Sequence, residues 1–291
     1  MSNTLVFNSS NVVGTNNNTY QYNFIQGAVN IKDCEIAVGS LTIPYSWYNV
    51  TSFYNNQRFT IVFPYGVGLT YTMNIVLPAG FYTITDINNY VQLQCVNQGL
   101  YLTSGGQNVY YFNIAANSTY YTVNVLLSLV PTTGTLPAGY AVPTSGYWSA
   151  TAGNGLPTTS TTPTFSIPAT GGIGTIIGYP ASYSLGPSTT QSLNGSSSLT
   201  PNGSTVNGLL MRCNLVDNNI ASPSDILDGV PINSTFGSNI TYDPSFEKWV
   251  RMKDGTFNQM TITFNDQNLN TLFALDPNIL LTLLIRKIKK D

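Results

Sequence analysis

The fold class is decided by one stretch near the end of the sequence, QMTITFNDQNLNTLFALDPNILLTLLI (Gln259–Ile285). In its first part Met260, Ile262 and Phe264 alternate with polar neighbours, and this period of two indicates a half-buried β-strand. Its last part, Asn278–Ile285, is apolar on both faces, which is typical of a strand in the middle of a sheet. Asn, Asp and Pro turn signals separate the two parts, so the stretch predicts neighbouring strands of a β-sheet protein.

Segments of the same kind occur on both sides of a different middle region. Together with the two above they amount to roughly eight strands spaced by turn residues, a number that suits a two-sheet jelly roll. We therefore predict an all-β dominated fold, a single eight-stranded antiparallel jelly roll with a small α+β insertion. The other predicted strands are Tyr20–Ile25, Cys34–Ile43, residues 58–63, residues 71–77 and Leu209–Val216.

The middle of the chain differs in composition, because residues 87–211 contain no Asp, Glu, Lys or Arg. Thr83 and Asp86 have capping-box spacing ahead of a helical pattern, and Gly99 is placed to end that helix. We predict strands at Val109–Ile114 and over residues 121–129, then a long loop over Pro131–Thr164. This loop is expected to be partly mobile unless its aromatic residues, Tyr140, Tyr147 and Trp148, dock on the rest of the protein. The predicted boundaries are 1–78 for the first part of the jelly roll, 79–205 for the insertion and 206–291 for the second part.

Composition limits the possible functions. Charged residues make up 8% of the 291-residue chain, where about a quarter is usual. The net charge of −2 supplies no field that would attract nucleic acid to the whole protein. No signal-peptide pattern opens the sequence, so we expect a soluble, unsecreted protein.

The sequence contains no histidine, which removes His-based catalysis and His metal ligation. The acids Asp217, Asp225 and Asp228 are clustered enough to form a glycosidase pair, or to bind calcium together with Asn218 and Asn219. Their spacing fits no regular calcium loop, and turn or cap roles near Ser224 explain them more simply. We expect no catalytic, cofactor-binding or metal-binding residue, no small-molecule substrate, and no enzyme activity.

Two further motifs have structural readings. One is a cluster of four glycines between residues 171 and 178, which lacks the Lys and the strand–Gly–helix arrangement of a phosphate loop. This cluster predicts a tight turn into a short helix at Thr175–Ile177. The widely spaced cysteines signal neither disulfides nor zinc. The glycines are Gly171, Gly172, Gly174 and Gly178, and the cysteines are Cys34, Cys95 and Cys213.

Basic residues collect at the end of the chain. Such a cluster can contact packaged DNA, or it can be the solvated end of a strand. Its members are Arg286, Lys287, Lys289 and Lys290.

Six segments in order resemble one family, the penton (minor capsid) proteins of virophages and polinton-like viruses of the mavirus and Sputnik type. The match runs from about Asp33 to the C-terminus and is weakest in the long loop. The segments are LTIPYSWYNVTSFYNNQRF from Leu41, IVLPAGFYTITDINNYVQ from Ile75, GTIIGYP from Gly174, LLMRCNLVDNNIASPSDIL from Leu209, FGSNITYDPSFEKWVRMKDG from Phe236 and MTITFNDQNLNTLFALDPNILLTLLIRK from Met260.

The resemblance implies a structural role. It implies a jelly roll interrupted by an insertion, five copies forming the vertex of an icosahedral double-stranded DNA virion, and a double-jelly-roll major capsid protein as neighbour. It also implies location in the virion after assembly in the cytoplasm of the infected host cell, and no catalytic residue. A sugar-binding or receptor-binding head of a viral fibre or spike has a similar composition and remains the alternative.

Overall fold

A computed structural model describes residues 2–288 of the chain. Lys289 and Lys290, which the sequence singled out as basic residues, lie outside the described residues. The chain divides into two compact units. Unit 1 comprises the chain up to Trp47 and from Val206 onward, and unit 2 comprises Tyr48–Thr205.

The structure is all-β dominated, with several antiparallel sheets and few helices, as predicted. Unit 1 begins with β1 (Ser2–Asn8), β2 (Val12–Val13), β3 (Thr19–Asn23), β4 (Val29–Ile31) and β5 (Cys34–Pro44). Unit 2 contains β6 (Arg58–Tyr65), β7 (Leu69–Val76), α1 (Ile84–Gln98), β8 (Leu102–Ser104), β9 (Gln107–Val109), β10 (Phe112–Asn117), β11 (Thr122–Leu127), β12 (Tyr140–Ala141), β13 (Thr164–Ser166), α2 (Gly174–Ile177), β14 (Ser184–Leu185) and β15 (Leu193–Ser196). Unit 1 resumes with β16 (Gly208–Cys213), β17 (Ile226–Pro231), β18 (Asn239–Tyr242), β19 (Val250–Arg251), β20 (Gly255–Phe257), β21 (Gln259–Asp266) and β22 (Leu280–Lys287). Two short 3₁₀ helices span Ser9–Asn11 and Thr133–Thr135.

Unit 1 is built on two five-stranded antiparallel sheets. The first has the order β1-β22-β5-β18, with β19 also paired to β5, and the second has the order β17-β16-β21-β3-β2. Strands β4 and β20 form a separate two-stranded antiparallel sheet. The apolar positions of β21 are buried as the period-two pattern predicts, and β22 lies between β1 and β5, in the central position predicted for it. Aromatic side chains of the two sheets pack together, since the ring centroids of Phe7 in β1 and Tyr22 in β3 are 5.9 Å apart.

Unit 2 has its own hydrophobic core, formed by a β14-β13-β6-β7 sheet, a β10-β11-β15 sheet and helix α1. A third small sheet has the order β12-β8-β9. The predicted helix is confirmed at both ends: Thr83 and Asp86 form the reciprocal capping box, and Gly99 ends α1 in the left-handed region at φ 62°. The predicted strand at Val109–Ile114 is interrupted, because β9 ends at Val109 and β10 begins at Phe112.

The first unit boundary lies earlier in the chain than the predicted boundary at residue 79. Strands β6 and β7, which the sequence analysis assigned to the jelly roll, pair with each other, and β6 pairs with β13 of unit 2. An alternating pattern shows that one face of a strand is buried, but it does not show which sheet buries that face.

The long loop after β11 is docked on the core of unit 2. The Trp148 ring is fully buried against Phe63 and Tyr111, and its Nε1 donates to the Pro64 carbonyl at 2.9 Å. The Trp148 amide donates to the carbonyl of Gly99 at 3.0 Å. Trp148 therefore anchors this low-complexity loop to the core of unit 2.

Two buried thiols make the stability of the protein sensitive to alkaline pH. Burial raises the pKa of Cys95 and of Cys213 from 9 to about 12. As pH rises above 9 the unfolded chain ionises first, so the stability given by neutral thiols is complete below pH 9 and is lost as pH rises toward 12. We expect the denaturant midpoint to fall above pH 9, with a shallower fall in a Cys95→Ala/Cys213→Ala variant. Equal slopes in the two proteins would refute this cause.

Candidate functional site

Two of the three acids considered as a glycosidase or calcium site, Asp225 and Asp228, pair with different cations. Asp225 accepts three hydrogen bonds from Arg212: from Nε to Oδ1 at 2.9 Å and to Oδ2 at 3.1 Å, and from Nη2 to Oδ2 at 2.8 Å. Asp228 is nearly buried in strand β17 and accepts from the Tyr242 hydroxyl at 2.7 Å and from Lys248 Nζ at 3.0 Å.

These two carboxylates are thus held in ion pairs with cations distant in sequence. The expected turn or cap role is wrong for Asp228, which is a strand residue. Asp217 is half-buried, and its backbone amide donates to the Arg251 carbonyl. Within residues 2–288 no group of three or more His, Cys, Asp or Glu residues is arranged to hold a metal ion.

Removing the Asp228 carboxylate should destabilise unit 1. An Asp228→Ala variant leaves the Tyr242 hydroxyl and the Lys248 ammonium without their acceptor, at an expected cost of about 2–3 kcal/mol of unfolding free energy. The matched control is Asp217→Ala, for which we expect a change of about 0.5 kcal/mol or less. Urea unfolding measures both. Equal costs for the two variants would contradict the structural role of Asp228.

The glycine cluster serves backbone packing. Helix α2 follows Gly171 and Gly172 and ends at Gly178, which has φ 77°. A Cβ on Gly178 would lie 2.4 Å from the Leu199 carbonyl oxygen, so no larger residue fits there. The predicted tight turn into a short helix is confirmed.

Arg286 and Lys287, the two described residues of the basic cluster, lie at the end of strand β22 in unit 1. Arg286 forms an ion pair with Glu35 of the neighbouring strand β5, and its guanidinium lies 3.8 Å from the centroid of the Trp249 ring. Lys287 is exposed and ends β22.

Two long edge strands carry no charge and no proline. Strand β1, SNTLVFN, pairs with β22 on one side, and strand β7, LTYTMNIV, pairs with β6 on one side. Apolar side chains are exposed along or beside β7, with Val67 80%, Leu69 47% and Val76 52% exposed. Edge strands of soluble proteins are usually protected by charged residues or proline. These two edges are therefore candidate contact surfaces for other chains.

Unit 2 as a whole is almost free of charge. Arg58 and Asp86 are the charged residues of the entire range 48–205. Asp86 accepts from the backbone amide and hydroxyl of Thr83 in the capping box, at 2.9 and 2.7 Å. Contacts made by this surface depend on shape, apolar area and neutral hydrogen bonds rather than on long-range charge. In residues 2–288 no helix has the length and apolar character needed to cross a membrane.

Comparison with known proteins gives matches at the level of structure. No protein-family model and no curated protein matches the sequence. The mavirus penton protein is similar over 99% of this chain and 100% of its own length, with a TM-score of 0.44 and 10% sequence identity. A chain from the cryo-EM structure of the Sputnik virophage is similar over 97% of each chain, with a TM-score of 0.39 and 12% identity. Along nearly its whole length, the chain is similar to a virophage penton protein and to a chain of a second virophage.

Proposed function

We propose that this protein is a structural capsid subunit, a penton whose five copies form the vertex of an icosahedral double-stranded DNA virion. The observation that carries the proposal is the pair of long, uncharged edge strands in a chain with 8% charged residues. The six ordered sequence segments that resemble virophage and polinton-type penton proteins support the same role. In this account the protein performs no catalysis and takes no cofactor.

The strand order of unit 1 supports a jelly roll as its architecture. Numbered along the chain, its eight main strands are β1, β3, β5, β16, β17, β18, β21 and β22. One sheet contains the first, eighth, third and sixth of these, and the other contains the fifth, fourth, seventh and second. Successive strands change sheet at every step except between the fourth and the fifth, which agrees with a jelly roll of two packed sheets. Unit 2 is then an insertion between the third and fourth strands.

A ring explains why such edges are kept free of charge. A closed ring of identical subunits needs head-to-tail contacts between two different surfaces of each copy. Strand β1 and strand β7 each offer unpaired backbone groups to a neighbouring chain, and exposed side chains such as Val76 add apolar area. Contacts of this kind weaken little as salt increases.

The proposed partners are other copies of this chain and a double-jelly-roll major capsid protein around the vertex. We further propose that the insertion faces outward and the basic end of β22 faces inward, where Lys287 can approach packaged DNA. The uncharged surface of unit 2 and the exposure of Lys287 support these orientations. Localisation in the virion, after assembly in the host cytoplasm, completes the proposal.

Electron microscopy of co-expressed capsid proteins tests this function. The protein is produced with the major capsid protein of its own virus, and assembled particles are imaged with and without it. We expect density for the chain at the fivefold vertices, and vertices that are open in its absence. Density at other positions, or closed vertices without the chain, would overturn the proposal.

A further inference from the structure

Unit 2 contains an open cleft of about 360 Å³. Its walls are the segment 54–56, the segment 167–175, and residues 179–181 together with Leu199. The volume falls in the range of about 300–1,000 Å³ that is usual for small-molecule sites. All of these residues belong to unit 2, so the cleft is complete within it.

Hydrogen bonds hold two walls of the cleft in place. The Asn56 side chain is buried and donates to the Asn49 carbonyl at 2.8 Å, which fixes the turn carrying the first wall. The backbone amide of Arg58 donates to the Gly171 carbonyl at 2.8 Å, which ties the second wall to the start of β6. A cleft held in this way is formed before any ligand arrives, and it loses little conformational entropy on binding.

The groups at the cleft are those that recognise polyhydroxylated ligands. Tyr54 lines the cleft and packs edge-on against Phe53, whose ring is 54% exposed, at 5.3 Å between ring centroids. Asn55 offers a side-chain amide that makes no hydrogen bond within the described residues 2–288. The exposed Thr170 and Thr175 lie on the second wall, in the segment 167–175. Aromatic faces pack on the apolar faces of sugar rings, and amides and hydroxyls both donate and accept hydrogen bonds.

A single cation borders this neutral cleft. Arg58 is exposed and forms no ion pair with any acid in the described part of the chain. Its Cδ lies 3.5 Å from the position that a Cβ would take on Gly171, which places the side chain against a lining residue. The other charge of unit 2, Asp86, is used in the helix cap. One unpaired guanidinium is suited to one carboxylate, which it can bind through two parallel hydrogen bonds.

We propose that this cleft is a binding site for a carboxylated saccharide, such as a uronic-acid or sialic-acid residue. The guanidinium of Arg58 binds the carboxylate, the Tyr54 side chain packs on the ring, and Asn55 hydrogen-bonds to hydroxyl groups. The proposal concerns unit 2 alone and does not depend on whether the chain forms a vertex ring.

Ligand-observed NMR with the full chain tests the site. Methyl glucuronide and methyl glucoside differ at C6 alone, where the first has a carboxylate and the second a neutral hydroxymethyl group. We expect saturable binding of the glucuronide at millimolar concentration, at least about tenfold tighter than that of the glucoside. Arg58→Gln should abolish this preference. Ala169→Trp places an indole on the exposed wall of the cleft and should abolish binding of both sugars.

Lys32→Gln provides the matched control, because it removes one exposed positive charge from unit 1. We expect it to bind methyl glucuronide as the unmodified protein does, and unchanged thermal unfolding of each variant shows that the fold is retained. Equal binding of the two sugars, glucuronide binding that survives Arg58→Gln, or no saturable binding by the unmodified chain would overturn the proposal. Inorganic phosphate that displaces the glucuronide completely at equal concentration would also overturn it, since the site would then be a general anion site.

Discussion

A Trp148→Ala variant is expected to lose about 4 kcal/mol of unfolding free energy, the typical cost of deleting a fully buried tryptophan. The indole contacts Phe63 and Tyr111 and donates to the Pro64 carbonyl, so it joins the long loop to the sheet of β6. Its removal leaves a cavity and also frees the loop. Guanidinium unfolding followed by near-UV circular dichroism measures the loss.

Trp148→Phe is the matched control for this prediction. It keeps an aromatic ring between Phe63 and Tyr111 but removes the Nε1 donor and part of the volume, so we expect a smaller cost of about 2 kcal/mol. Limited proteolysis should cut the loop over Pro131–Thr164 faster in the alanine variant. A cost below about 1 kcal/mol for Trp148→Ala would show that the loop does not depend on this anchor.

A Gly99→Ala variant is expected to cost about 3 kcal/mol or more. Gly99 has φ 62°, and a Cβ there would lie 2.2 Å from the Ser145 carbonyl oxygen and 2.7 Å from Gly146 Cα. The substitution therefore adds a clash between two backbone segments to the strain of a left-handed residue. The long loop would have to move away from the end of α1, and urea unfolding measures the cost.

Gly105→Ala separates the two causes. Gly105 has φ 57°, close to that of Gly99, but a Cβ there would meet no atom within 4 Å. We expect about 1 kcal/mol for this change, from backbone strain alone. Similar costs at the two glycines would mean that the contact between α1 and the loop has no energetic importance.

The elements predicted well from the sequence are those whose signal is local. The capping box of Thr83 and Asp86 and the stop at Gly99 fix both ends of α1 within the helix itself. The apolar pattern of β22 likewise predicts its place between two other strands, although the strand begins at Leu280 rather than Asn278. In these cases neighbouring residues contain the information that determines the structure.

The elements that could not be predicted depend on partners far away in sequence. Strand β17, ILDGVP, contains Asp, Gly and Pro, which locally indicate a turn, yet it pairs along β16 and buries Asp228 beside Lys248. The assignment of β6 and β7 to unit 2 rests on the pairing of β6 with β13, about a hundred residues later, and of β7 with β6. The role of Arg58 at the cleft depends on its approach to Gly171, which no spacing in the sequence indicates.

The native mass of the purified chain across a salt series tests the central claim most directly. The account predicts a species of five times the 31.5 kDa subunit mass that persists from about 0.1 to 1 M sodium chloride, because uncharged edges make the contacts. A chain that closes as a dimer or trimer would contradict the vertex assignment. A chain that remains at 31.5 kDa at every salt concentration would contradict self-assembly through the uncharged edges, and ring closure would then require the major capsid protein.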